Sequence, residues 1–255
     1  LADQLHPELD YHLIACSGAR THNLLRLGTV NAFGRPAEGQ YHELPQLDQG
    51  FLDENTTLVM LTIGGNDARF SAVVRGCLLN DPFSSCGGED FILTGEENGQ
   101  PFVDPEPLYL YEPWLMENLV KPSVAQVVTQ IREAAPNAHI QLILYPELFD
   151  PEFGCVDGIS GAEVTFLNNL AVTFESAFTP LNSLPGVNTM SVIVDFRGHG
   201  VCSDELSWLN SIVLIPSGGG DTSIPSMESF HPTPTGYAME GAWVSDRLEV
   251  LGYTW

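Results

Sequence analysis

Short apolar runs alternating with stripes of helical period constrain this chain more than any other feature. Tyr11–Ala15, Thr57–Ile63, His139–Leu144 and Met190–Val194 read as strands. Between them Val124, Val127, Val128 and Ile131 recur at helical spacing. Pro136 closes that helix, because its ring and missing N–H cannot continue the ladder. Val164, Leu167, Ala171, Phe174 and Phe178 form a second stripe, closed by Pro180, and a third helix is expected from Gly236 to Leu251. Strands separated by helices pair in parallel, since a helical crossover returns the chain to the same end of the sheet. The fold class this implies is α/β: a three-layer α/β/α sandwich around a parallel sheet.

A chain of 255 residues with 44% hydrophobic content buries one sizeable core, and neither a repeat nor a composition shift divides it, so residues 1–255 read as a single domain. The net charge of −24 argues against nucleic acid and against anionic membrane surfaces as partners, since both are polyanions. No apolar run reaches the roughly 18 residues of a transmembrane helix. Residues 87–114 stand apart as an acidic insertion rich in Gly and Pro that ends in Leu-Tyr-Leu-Tyr-Glu-Pro-Trp. Loops of that length are uncommon unless functional or disordered. Two readings stay open for it: a lid or acyl-binding wall, or a surface insertion pinned by its own aromatics.

Ligands in parallel sheets bind beyond the carboxyl ends of the strands. There the run Thr57–Leu61 leads into Thr62-Ile63-Gly64-Gly65-Asn66-Asp67. Two glycines allow a sharp turn, and Asn66 then presents an uncharged amide donor at a fixed point, the chemistry that holds a developing oxyanion in acyl transfer. Asp67 is expected to bond locally within the turn. The loop Pro216–Asp221 lacks the Lys-Ser/Thr of a phosphate loop and reads as flexible active-site rim. His199 and Cys202 have a spacing compatible with zinc, but no second ligand cluster accompanies them. No metal or cofactor is expected.

Three blocks in order, Ala15-Cys16-Ser17-Gly18-Ala19, Gly64-Gly65-Asn66-Asp67 and Glu228-Ser229-Phe230-His231-Pro232, resemble those of the SGNH (GDSL-type) hydrolase family, particularly its secreted actinobacterial lipase and esterase branch. Ala134–Ala138, Tyr145-Pro146 with Leu148-Phe149, and Phe196–Cys202 extend the likeness over nearly the whole chain. The resemblance implies the SGNH hydrolase fold with its parallel, flavodoxin-like sheet, an ester substrate, Gly18 and Asn66 as oxyanion donors and His231 as the catalytic base. It leaves two candidates for orienting His231: the side chain of Glu228, three residues before it, or the carbonyl of Ser229. It assigns no nucleophile to Ser17.

The family's first block, Gly-Asp-Ser, which carries the nucleophilic serine, occurs nowhere in the 255 residues. The resemblance therefore implies a domain lacking its first strand, with the serine supplied by a separate N-terminal polypeptide segment or, as the alternative, by an N-terminal stretch of the same protein outside these 255 residues. It also implies disulfides Cys77–Cys86 and Cys155–Cys202, leaving Cys16 to link to that segment; the alternative for Cys16 is a buried free thiol. Paired cysteines favour an oxidising, extracellular setting. The expected function is a secreted carboxylic ester hydrolase. Two rivals remain: a catalytically silent SGNH-fold binding or structural module, and a deacetylase of acylated polysaccharide whose sugars stack on the aromatics from Tyr109 to Trp114.

Overall fold

A computed structural model describes residues 10–78, 85–97, 100–150, 159–203, 205–213, 226 and 228–253. Its central sheet contains β1 (Leu58–Leu61), β4 (His139–Ile143) and β5 (Val187–Met190), in the order β1-β4-β5 and parallel throughout. Leu58 pairs with His139, and Ile140 with Val187. Successive side chains point to opposite faces. Val59, Leu61, Ile140, Leu142 and Val187 join one core cluster, whereas Leu58, Ile143 and Met190 join the other.

Helices cover both faces, giving the expected α/β/α layers. On the first face α4 (Lys121–Ala134) inserts Val124, Val127, Val128 and Ile131, all buried. On the second, α2 (Phe70–Leu78) contributes Val73, Val74 and Cys77, and α7 (Pro234–Val250) contributes Val244 and Leu248. The helix α5 (Gly161–Phe178) serves both clusters, Val164 and Leu167 in one, Phe174 and Phe178 in the other. It starts at a capping box: the Ser160 hydroxyl accepts from the Glu163 N–H, and the Glu163 carboxylate accepts from the Ser160 N–H at 2.7 Å.

Two strand expectations need correction. Tyr11–Ala15 forms no strand; Tyr11, Leu13 and Ala15 are exposed, and no backbone hydrogen bond joins the segment to β1 among the described residues. An apolar alternation becomes a strand only when a neighbour supplies the ladder. The expected strand Met190–Val194 lies earlier, at Val187–Met190, where β4 offers pairing partners. Past Met190 the chain turns into the short helix α6 (Ile193–Phe196).

The segment from 87 to 114 is structured rather than an irregular loop. It contains an antiparallel hairpin, β2 (Thr94–Glu97) with β3 (Gln100–Val103), and then α3 (Leu108–Leu115). Pro113 lies inside α3, and the chain relaxes into a wide π-turn, Met116–Val120, before α4 begins. Cys77 and Cys86 form the expected disulfide at the foot of this insertion. Cys202 is also disulfide-bonded, while Cys155 lies outside the described residues, as does the loop Pro216–Asp221. Cys16 is a free, half-buried thiol packed against the first core cluster, and burial pushes its pKa up.

Candidate active site

The turn after β1 is built for close approach. Gly64 has φ +106°, and a Cβ there would sit 3.0 Å from Phe174 Cζ and 3.1 Å from Val120 Cγ1. A Cβ on Gly65 would fall 2.8 Å from the Tyr145 phenol, to which the Gly65 N–H donates at 3.0 Å. Tyr145 follows β4 and meets Phe174 edge-on, so this bond ties the carboxyl ends of β1 and β4 together. Burial pushes the Tyr145 phenol up to about 12, so it stays protonated. Only glycine fits at either position, and Asn66 follows directly.

Asn66 and Asp67 together fasten the Gly18 block. The Asn66 amide donates to the Ala19 carbonyl at 3.1 Å. Asp67, only 2% exposed, accepts the Thr21 hydroxyl at 2.6 Å and the Thr21 N–H at 2.9 and 3.2 Å. The expectation that Asp67 bonds within its own turn is thus corrected: its partner lies 46 residues away in sequence, at the start of α1 (Thr21–Leu24). Burial pushes the Asp67 carboxyl up, opposed by the Thr21 bonds and by Arg20 and Arg35. Gly18 adopts φ +72°, and its N–H makes no hydrogen bond among the described residues.

His231 stands on a stitched loop. Phe230 N–H donates to Asn210 O at 3.0 Å, Asn210 N–H to His231 O at 2.9 Å, and Thr233 N–H to Trp208 O at 2.8 Å. Phe230 is left-handed, φ +62°, and its ring packs edge-on against Phe149 beyond β4. A left-handed non-glycine residue is strained, and such strain gathers at functional sites. The buried Ser229 hydroxyl accepts from Val213 N–H at 2.9 Å, and the Ser229 carbonyl faces His231 Nδ1 at 3.2 Å. A carbonyl only accepts, so this bond puts the proton on Nδ1 and leaves the Nε2 lone pair free to accept. Glu228 donates its N–H to Ser226 Oγ.

Behind Asn66 lies a buried ionic cluster that sequence reading did not find. Arg69, left-handed at φ +55°, makes a two-pronged contact with Asp104 at 2.6 and 3.1 Å and reaches Glu112 at 3.3 Å. Phe102 and Tyr111 flank its guanidinium at 4.8 and 5.3 Å. One arginine cannot neutralise two buried carboxylates. Asp104 takes the better geometry, and burial, with the Asp104 charge adding to it, raises Glu112 to about 8 against the pull of Arg69. The cluster pins the 87–114 insertion beside the Asn66 turn. Arg20, Asn66, Arg69, Phe70 and Phe102 line a cavity of about 130 Å³ there.

Two of the expected donors, Gly18 and Asn66, are therefore brought together by direct bonds between their segments. His231 follows the buried Phe230–Phe149 contact at the same end of the sheet, but no hydrogen bond links it to the Gly18–Asn66 half among the described residues. Thr21 and Arg69 carry no local motif. His199 stacks on Trp208 at 3.5 Å and directs Nδ1 to the Leu206 carbonyl, which explains it without zinc. Among the described residues no three His, Cys, Asp or Glu side chains gather to hold a metal.

Comparison with known proteins bears on the family and the fold. The model of the GDSL-like Lipase/Acylhydrolase family matches residues 1–239. Lipase 1 of Streptomyces coelicolor is 27% identical over 231 residues, spanning 91% of this chain and 67% of that protein. A lipase of Streptomyces rimosus is 25% identical over the same shares. Among solved structures, phospholipase A1 from Streptomyces albidoflavus NA297 superposes with a TM-score of 0.66 at 24% identity, over 92% of this chain and 78% of that one. The extracellular lipase from Streptomyces rimosus gives 0.63 at 22% identity, over 94% and 82%. At these identities the two structures establish a shared fold.

Proposed function

The chain belongs to the GDSL-like lipase/acylhydrolase family, and from that premise we propose that it is a serine ester hydrolase in which His231 is the general base and Asn66 and Gly18 form the oxyanion hole. The observation that carries this reading is the bond from His231 Nδ1 to the Ser229 carbonyl, which leaves Nε2 ready to take a proton. A serine hydroxyl attacks the ester carbonyl carbon, and His231 Nε2 accepts its proton. The tetrahedral oxygen receives N–H bonds from the Asn66 amide and Gly18. Collapse expels the alcohol, protonated by His231, and water then releases the acid by the same steps in reverse.

The nucleophile is proposed to come from a segment outside these 255 residues, since no Gly-Asp-Ser block occurs within them. Cys16, a free thiol two residues before Gly18, is the proposed point of a disulfide to that segment. The Cys77–Cys86 disulfide supports an extracellular location. Among the described residues no helix is long and apolar enough to cross a membrane.

The proposed substrate is a carboxylic ester of a lipid or a small alcohol. The deacetylase alternative stays open: the Tyr111 ring is occupied internally, against Arg69 and stacked on Trp114 at 5.6 Å, while Trp114 itself is exposed. The test uses the full-length protein. Short-acyl, long-acyl and acetyl-xylan esters are assayed beside the His231→Ala variant, with a fluorophosphonate probe to mark the serine. Turnover of acyl esters, lost in His231→Ala, with one labelled serine supports the proposal. Turnover of acetyl-xylan alone would favour the deacetylase, and neither turnover nor labelling would leave a silent binding module.

A further inference from the structure

We infer that Asp67 is a positioning residue for the oxyanion hole and acts through Thr21, an inference that rests on the assignment of Gly18 and Asn66 to that hole. Two donors from separate segments stabilise one oxygen only if their spacing is held to a fraction of an ångström, and no strand pairing joins these two segments among the described residues. What joins them is Asn66 to Ala19 and Asp67 to Thr21.

The hydrogen-bond directions leave Thr21 one arrangement. Asn31 Oδ1 accepts from the Phe33 and Arg35 N–H groups at 3.1 and 3.0 Å, so its Nδ2 must be the atom that donates to Thr21 Oγ1 at 3.0 Å. The Thr21 hydroxyl is therefore an acceptor from Asn31, and its only hydrogen goes to Asp67 at 2.6 Å. With the Thr21 N–H also on the carboxylate, the segment that carries Gly18 is registered against the residue after Asn66. Ala19, Thr21, Asn31 and Asp67 are all buried, so water does not compete for these bonds.

Electrostatics alone would argue against a carboxylate here. A negative charge beside the oxyanion hole opposes the charge that develops in the transition state. Arg20 and Arg35 lie near enough to stabilise it. The value of Asp67 on this view is two acceptor atoms fixed in place, and the two roles predict opposite signs. Asp67→Asn removes the charge at constant size but offers one acceptor oxygen and turns an NH₂ toward the donors of Thr21.

The experiment measures kcat and KM of the full-length protein on a soluble short-acyl ester, with thermal melts, for Asp67→Asn, Thr21→Val, Thr21→Ser and Asn66→Ala. Positioning predicts that Asp67→Asn and Thr21→Val lower kcat by about 10²-fold, the scale of a misplaced catalytic geometry, with KM little changed. Thr21→Ser, which keeps the hydroxyl, restores kcat at the melting temperature of Thr21→Val. Unchanged or increased kcat in Asp67→Asn, beside a crippled Asn66→Ala, overturns the role of Asp67 while leaving the esterase assignment intact. If Asp67→Asn does not fold, the Thr21 pair decides: equal kcat in Thr21→Val and Thr21→Ser overturns it. A wild type that hydrolyses no ester removes the esterase reading and this inference with it.

Discussion

His231 directs Nδ1 at the carbonyl oxygen of Ser229, two residues back along the chain, at 3.2 Å. A main-chain group thus sets the tautomer of the ring. The Glu228 side chain is then dispensable for that task, and Glu228→Gln is expected to change kcat by less than about threefold, under 1 kcal/mol of barrier. A fall approaching 10⁴-fold, the scale seen when a carboxylate that fixes a catalytic histidine is replaced, would assign the orienting role to Glu228 instead. Steady-state kinetics at saturating ester separates the two.

Asn66→Ala removes one of the two proposed oxyanion donors and the bond to Ala19. The expected result is a loss of about 10²–10³ in kcat, roughly 2.7–4 kcal/mol, with KM close to wild type, because the interaction forms only in the transition state. A matching rise in KM at constant kcat would instead make Asn66 a ground-state binding residue.

These residues differ in how far sequence exposed them. The stripe Val124, Val127, Val128 and Ile131 fixes α4 by local period, and Gly64-Gly65-Asn66 declares a turn with a donor after it, so the fold class and that turn were both legible. Asp67 to Thr21 spans 46 residues and Arg69 to Asp104 spans 35. No short-range pattern encodes such pairs; they exist because the sheet brings strand ends together and burial forces each charge to find a partner. Tyr11–Ala15 shows the opposite failure, a run with strand composition whose state depends on neighbours that its own residues do not specify.

The Cys77–Cys86 bridge closes a short loop of sequence separation 9 between α2 and the insertion. Loop-closure entropy for that length corresponds to about 2–3 kcal/mol of stabilisation. Both cysteines are fully buried, so replacing both by alanine adds the cost of two small cavities to the loss of the bridge. Urea titration of the double Cys→Ala variant should show an unfolding free energy lower by at least that amount, with no further response to reductant from this bridge. A midpoint equal to wild type would mean the insertion is held by the Arg69 cluster alone.

Glu112 gives the insertion a pH dependence whose sign can be worked out. Burial raises its pKa from the usual carboxylate range to about 8 in the folded protein, and it returns to that range on unfolding. Between the two values the folded state holds more protons than the unfolded state, so the group's contribution to stability falls as pH rises. It is fully present below the unfolded pKa and lost as pH passes through about 8. Glu112→Gln keeps the size and removes the titration. The gap in melting temperature, variant minus wild type, should therefore widen in favour of the variant from pH 5 to pH 8. The Glu112 Oε1 atom, buried without a hydrogen-bond partner, supports that direction, since an ionised oxygen there would lack a donor. A gap that stays constant across the range would mean Arg69 keeps Glu112 ionised, and that the arginine is shared equally between its two carboxylates.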